Sequence, residues 1–196
     1  MADDNKVTNI LLAGVGGQGI LLASEVFSEV MMLAGYDVKK NEIHGMSQRG
    51  GSVVSHVRFG KCVHSPIIPE GEADVLFGFE LLETYRYLPL LDKHGIVIAN
   101  RLKLMPPSVA IGKQAYPDGL EEQIGKQVEK SYIVNGLELA MQAGDPRTVN
   151  TVLLGALSNI LPVEVSLWKE ALTRMVPKKT LEQNMCAFEL GQQSCS

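Results

Sequence analysis

Two short segments of this 196-residue chain concentrate the residue types that can meet a ligand or another protein's backbone. The first is Gly14-Val15-Gly16-Gly17-Gln18-Gly19, a G-x-G-x-x-G spacing set between an apolar run and a helical pattern. In that context the first glycine permits a tight turn. The second lets the backbone come near a pyrophosphate, and the third lets the helix pack closely on the strand. The amides of the helix's first turn would face an anion. The same glycines serve a tight turn and close packing equally well with no ligand, so both readings stand at this level. A dinucleotide site also wants an acidic residue about 20 positions on, at the tip of the second strand. Glu42 lies near that spacing.

The second segment is His44-Gly45-Met46-Ser47-Gln48-Arg49-Gly50-Gly51, the densest polar and glycine stretch in the chain. His44 can act as an acid, a base or a hydrogen-bond donor near neutral pH. Arg49 can clamp a phosphate or a carboxylate. Gly50 and Gly51 let another backbone or a cofactor approach closely. There is no Ser/His/Asp order, and no carboxylate pair stands out.

The elements that must hold these segments read as follows. Thr8–Ala13 is a short apolar run, so a buried strand. Gly17–Ala34 is a helix of about five turns whose apolar residues spread around more than one face, where a surface helix keeps one stripe. It should pack on the sheet and against something else, with Gly35 as its terminating C′ glycine. Tyr36–Ile43 is the second strand. Ser52–Phe59 roughly alternates, and Gly60-Lys61 is a turn into Cys62–Ile68, giving a hairpin with Pro66 and Pro69 on an edge. Strands follow at Ala73–Gly78, Gly95–Asn100, Val109–Gly112 and Ser131–Val134, with helices at Leu81–Leu91 and Leu120–Val128. From Leu137 onward the pattern is helical. Strands alternating with helices imply an α/β fold: a doubly wound, mostly parallel sheet with an edge hairpin and a helical C-terminal third. With no repeat and no convincing linker, residues 1–196 read as one domain. In a parallel sheet the strands' C-terminal ends face one crevice, so both glycine segments belong at the same edge. His56 and His64 read as surface residues of the hairpin. Glu70, Glu72, Asp74, Glu80 and Glu83 read as a solvated acidic face.

Composition narrows the function. Apolar residues make up 45% and charged residues 20%, a normal globular mix. The formal net charge of -4 argues against a general nucleic-acid binder. Cys62, Cys186 and Cys195 form no C-x-x-C pair. They make neither a disulfide framework nor a zinc site, and cannot supply four thiolates to an iron–sulfur cluster. That usage fits a reducing cytoplasm. The acidic, polar start is unlike a signal peptide, and no apolar run approaches the ~18 residues of a membrane helix. No metal site is expected. The large apolar surface of Gly17–Ala34 and of the C-terminal third points to burial at an interface, and a homodimer of the isolated chain is compatible with it.

Three segments carry a resemblance: GVGGQGILLASE at Gly14–Glu25, EIHGMSQRGGSVVSHVRFG at Glu42–Gly60 and SPIIPEGEADVLFGFE at Ser65–Glu80. With ETYRYLPLL at Glu83–Leu91 and NTVLLGALS at Asn150–Ser158, they resemble the gamma-type subunits of 2-oxoacid:ferredoxin oxidoreductases. They are most similar to the small subunit type of the indolepyruvate-oxidising branch. The HGMSQRGG stretch is far more specific than a bare glycine loop. The resemblance implies oxidative decarboxylation of a 2-oxo acid, an aryl pyruvate such as indolepyruvate, with coenzyme A, yielding acyl-CoA, carbon dioxide and reduced ferredoxin. It implies that thiamine diphosphate, its Mg ion and the iron–sulfur clusters reside on a large partner subunit, through which ferredoxin is reached. The residues agree with that division: there is no cysteine-rich run, and Gly144-Asp145 continues into Pro146 instead of a thiamine-type metal motif. On this reading the chain is inactive alone, and Gly14–Gly19 with His44–Gly51 form a cofactor- or partner-facing surface with no assigned catalytic residue. The other readings are a stand-alone nucleotide-binding oxidoreductase and a non-enzymatic scaffold of the same fold.

Overall fold

The first strand is apolar on both sides because both of its faces are covered. A computed structural model describes residues 6–45, 51–106, 109, 111–113 and 115–195. In it, β1 (Thr8–Val15) sends Ile10 and Leu12 to one core and Leu11 and Ala13 to another, all four fully buried. A strand covered on both faces has no polar side to show, so it reads as a continuous apolar run.

The other strands are β2 (Asp37–His44), β3 (Ser52–Gly60), β4 (Ala73–Gly78), β5 (Leu91–Asn100) and β6 (Lys130–Val134). Their order across the sheet is β2-β3-β1-β4-β5-β6. β1, β4, β5 and β6 run parallel, while β3 is antiparallel to both β1 and β2. The sheet is therefore mostly parallel with a hairpin at one edge. That hairpin is not the one anticipated. It joins β2 to β3 through the polar glycine segment itself, with Gly45 N–H donating to Ser52 O at 2.9 Å.

Cys62–Ile68 is not a strand. Side chains take up its backbone groups instead: Asp37 accepts from Val63 N–H, His56 Nδ1 accepts from Ile68 N–H, and Arg58 donates to the carbonyls of Ser65 and Ile67. Buried backbone polar groups must find partners, and here they find them without a ladder. His56 is consequently buried rather than a surface residue. Of the strand expected at Val109–Gly112, Ala110 lies outside the described residues, and Val109, Ile111 and Gly112 are not in a strand, with Gly112 N–H donating back to Val109 O at 2.9 Å.

Seven α-helices lie among the described residues. α1 (Ile20–Leu33) ends as foreseen: Gly35 has φ +86°, its N–H reaches Met32 O, and Tyr36 N–H reaches Met31 O. α2 (Leu81–Arg86) and α3 (Leu120–Gln127) cover one face. On the other face α1 lies with α4 (Gly136–Gln142), α5 (Val149–Ser158), α6 (Val165–Met175) and α7 (Leu181–Gln193). The broad apolar girth of α1 is explained mainly within the chain. Phe27 meets Phe59 on the sheet, with ring centroids 5.8 Å apart, and Trp168 on α6, at 5.9 Å. Only Leu21 and Met32 of this helix remain as exposed large apolar side chains.

Candidate functional site

The C-terminal edge of the sheet collects the two glycine segments. β2 and β1 point the same way with β3 between them, so the loops that follow them emerge at one edge. Gly16 N–H donates to Gly51 O at 2.9 Å, which ties one loop to the other. Of the sequence candidates, Gly14, Gly16, Gly17, Gln18, Gly19, Gly45, Gly51 and the backbone of His44 are placed there. Met46, Ser47, Gln48, Arg49 and Gly50 lie outside the described residues.

The glycines have different jobs. A Cβ at Gly14 would fall 2.6 Å from Gln18 Oε1, 2.7 Å from Phe79 Cβ and 2.9 Å from Ile20 Cδ1, so Gly14 serves close packing. Gly17 sits at φ +100° with open space where a side chain would go. Its backbone is the part of the loop that another molecule can approach. Gly19, at φ +77°, opens α1 with no side-chain cap.

Gln18 is the organiser of the loop. Its Oε1 accepts from Val15 N–H at 2.7 Å and its Nε2 donates to Phe79 O at 3.0 Å. The same Phe79 carbonyl receives Asn100 Nδ2 at 3.3 Å, and Asn100 Oδ1 accepts from Gly136 N–H at 3.2 Å. The ends of β1, β4 and β5 and the start of α4 are thereby linked through two side-chain amides. These bonds occupy the amides of Val15 and Gly16, while the first-turn amides of α1 lack intrahelical acceptors. Beside them is a cavity of about 440 Å³, lined by Gly17, Gly19, Leu22, Asn100, Arg147 and Asn150 among others. Arg147 is held by Asp145, with Nε and NH2 on its two carboxylate oxygens at 3.0 and 2.7 Å. That pairing, chiefly the side-chain hydrogen bond, draws the Asp145 carboxyl down to about 2 and raises Arg147.

The dinucleotide reading loses its acidic partner. The inserted β3 puts the tip of β2 two strand spacings from β1, about 10 Å instead of about 5 Å. Glu42 there binds Lys40 Nζ at 2.9 Å and Ser24 Oγ at 3.3 Å. Among the described residues no group of three or more His, Cys, Asp or Glu could hold a metal ion. Glu80 and Glu83 are buried, against the solvated face expected of them. Glu80 caps α2 through Glu83 N–H at 2.8 Å, and its other oxygen accepts from Tyr116 OH at 2.6 Å and Leu104 N–H at 3.1 Å. Sequence reasoning missed Glu80, Asn100, Tyr116 and Asn150 as shapers of this edge. Their only local signal is that Glu80 and Asn100 stand at or just past strand ends.

Comparison with known proteins gives this edge a context. The sequence model of the pyruvate ferredoxin/flavodoxin oxidoreductase family matches residues 9–194. The indolepyruvate oxidoreductase subunit IorB of Thermococcus kodakarensis is 42% identical over 193 residues, 95% of either chain. The protein of that name from Archaeoglobus fulgidus is 40% identical over 188 residues, covering 93% of this chain and 92% of its own. The crystal structure of pyruvate oxidoreductase subunit PORC from Thermotoga maritima superposes with a TM-score of 0.73 at 20% identity, over 96% of this chain and 97% of that one. At that identity the likeness speaks for the fold. No helix among the described residues is long and apolar enough to cross a membrane.

Proposed function

The chain belongs to the pyruvate ferredoxin/flavodoxin oxidoreductase family, and on that premise we propose that it works as the small subunit of a 2-oxoacid:ferredoxin oxidoreductase with an aryl pyruvate such as indolepyruvate as substrate. The overall reaction takes a 2-oxo acid, coenzyme A and two oxidised ferredoxins to acyl-CoA, carbon dioxide, a proton and two reduced ferredoxins. The observation that carries the reading is 42% identity to an indolepyruvate oxidoreductase subunit over 95% of both chains.

On this reading the large subunit holds thiamine diphosphate, its Mg ion and the iron–sulfur clusters, and passes electrons to ferredoxin. Thiamine diphosphate supplies the carbanion chemistry there. This chain contributes shape. The joined loops Gly14–Gly19 and His44–Gly51 face the large subunit and form part of the wall along which substrate or coenzyme A enters. The open Gly17 backbone and the Gly16–Gly51 bond support that placement. Free, exposed Cys62 and Cys186 support a reducing cytoplasmic setting.

The test is reconstitution. The chain alone should show no 2-oxo acid oxidation with a viologen acceptor, and activity should appear with the large subunit. NADH titration should give no saturable change in fluorescence, whereas tight binding would favour a stand-alone nucleotide enzyme. Arg49→Ala should weaken complex assembly or alter the coenzyme A dependence of turnover. If both stay unchanged, Arg49 has no part in the facing surface.

A further inference from the structure

The outer edge of β2 is bonded to no strand among the described residues. In the antiparallel alternation the Gly45–Ser52 bond makes the odd-numbered residues of β2 turn their backbones toward β3. The backbone N–H and C=O of Val38, Lys40, Glu42 and His44 therefore point outward. Such an edge is a template for pairing unless something blocks it, and lysines commonly do. Here Lys40 comes with its counter-charge two residues away, on the same side of the strand, with Lys40 Nζ 2.9 Å from Glu42 Oε1.

We propose that this edge is a homotypic interface, at which two copies of the chain join β2 to β2 in antiparallel fashion about a two-fold axis passing by Asn41. That register sets Lys40 of each copy opposite Glu42 of the other, and the backbones of Val38 and His44 opposite each other. Moving the axis one residue either way sets Lys40 opposite Lys40 or Glu42 opposite Glu42. Unlike charges directly across two strands stabilise and like charges destabilise, so charge complementarity selects the axis at Asn41.

A second observation points the same way. Leu21, Glu25 and Met32 fall on one stripe of α1, and Glu25 Oε1 lies 3.7 Å from Lys40 Nζ, which brings the stripe beside the β2 edge. Leu21 is 39% and Met32 53% exposed, and Ile43 on the opposite face of β2 is 51% exposed. The join would cover apolar surface on both faces of the sheet. The two-fold axis reverses strand direction between copies, so the two glycine-loop edges point opposite ways, and His44, the last residue of β2, is the one residue that belongs both to the join and to a glycine segment. The proposal goes beyond the assignment to a large subunit and is tested without one.

The full chain should sediment as a dimer in the micromolar range. Lys40→Pro removes an outward-facing donor and no bond to β3, so it should give a monomer with an unchanged circular dichroism spectrum. Lys40→Glu should raise the dimer dissociation constant about tenfold at low salt, through two symmetric like-charge pairs. Adding Glu42→Lys should restore it. In a background with Cys62, Cys186 and Cys195 changed to serine, Asn41→Cys should oxidise with copper phenanthroline to a disulfide-linked dimer. The two Cα atoms of a non-hydrogen-bonded antiparallel pair lie about 4.5 Å apart, within disulfide reach. A monomeric wild type, a dimer that survives Lys40→Pro, or a dimer that Asn41→Cys fails to link would each overturn the proposal.

Discussion

The amide of Gly16 donates to the carbonyl of Gly51 across 2.9 Å, and this one bond makes a single surface from two loops far apart in sequence. Its geometry depends on Gln18, which holds Val15 and Phe79 at the same edge. Gly14 and Gly17, which flank Gly16 in the loop, have opposite surroundings.

Gly14→Ala should lower stability by on the order of 3 kcal/mol, because its Cβ would meet Gln18, Phe79 and Ile20 all within 3.0 Å. Gly17→Ala meets no atom, and should cost only the left-handed backbone penalty of roughly 1–2 kcal/mol. Urea denaturation of the isolated chain separates them. Binding to the large subunit should show the reverse weighting: Gly17→Ala, still folded, should weaken the complex by narrowing the approach.

Tyr116→Phe should destabilise by about 2 kcal/mol, the scale of a hydrogen bond to a charged group. Tyr116 OH lies 2.6 Å from a Glu80 oxygen that also accepts from Leu104 N–H. Burial first, and Glu80 second, push the Tyr116 hydroxyl above its usual range. Amide exchange at Leu104 should speed up in the variant, and an unchanged rate would show that the residues around Leu104 are held by other contacts.

His56 should make stability fall in mild acid. Burial, with Arg58 nearby, lowers its folded-state pKa below the usual 6.5. The unfolded chain then binds the proton more readily, so stability is full above pH 6.5 and declines as pH falls from there through the folded value. Protonation would also remove the acceptor that holds Ile68 N–H at 3.2 Å. Urea midpoints between pH 8 and 5 should drop in the wild type and flatten in His56→Asn. A flat wild-type profile would dismiss the effect. Any contribution from Asp37 and Asp145, both shifted down, belongs to more acidic solution, below about pH 4.

Gly191→Ala should disrupt the pairing of α5 and α7. A Cβ there would strike the backbone carbonyl of Val152, as one at Gly155 would strike that of Phe188. With no flexible side chain able to yield, a loss on the order of 3 kcal/mol is expected, and thermal unfolding should report it.

Much of this molecule was legible in its residues. The β4 span Ala73–Gly78 emerges with the boundaries anticipated, and the chain from Leu137 onward is mostly helical as read, since both have a clear period and clear breakers. The hairpin was misplaced because Gly60-Lys61 looks like a turn, whereas Cys62–Ile68 satisfies its backbone on Asp37, His56 and Arg58. Those partners are far enough away in sequence that no local pattern announces them. Glu80 and Glu83 looked solvated for the same reason: burying a carboxylate requires donors such as Tyr116 OH, Leu104 N–H and Arg86, of which only Arg86 is close in sequence to its Glu83 partner.

Local sequence, then, determined most of the elements, the family and the two glycine segments, because helix and strand periods, caps and turn residues act over a few positions. Only the tertiary structure decided that an antiparallel β3 stands between β1 and β2, that Glu42 is thereby withdrawn from the glycine loop, and that β2 is the last strand of the sheet among the described residues. Strand order arises from long-range pairing, in which burial of whole faces outweighs any local preference, and so what stands beside the G-x-G-x-x-G spacing is set by residues far away in the sequence.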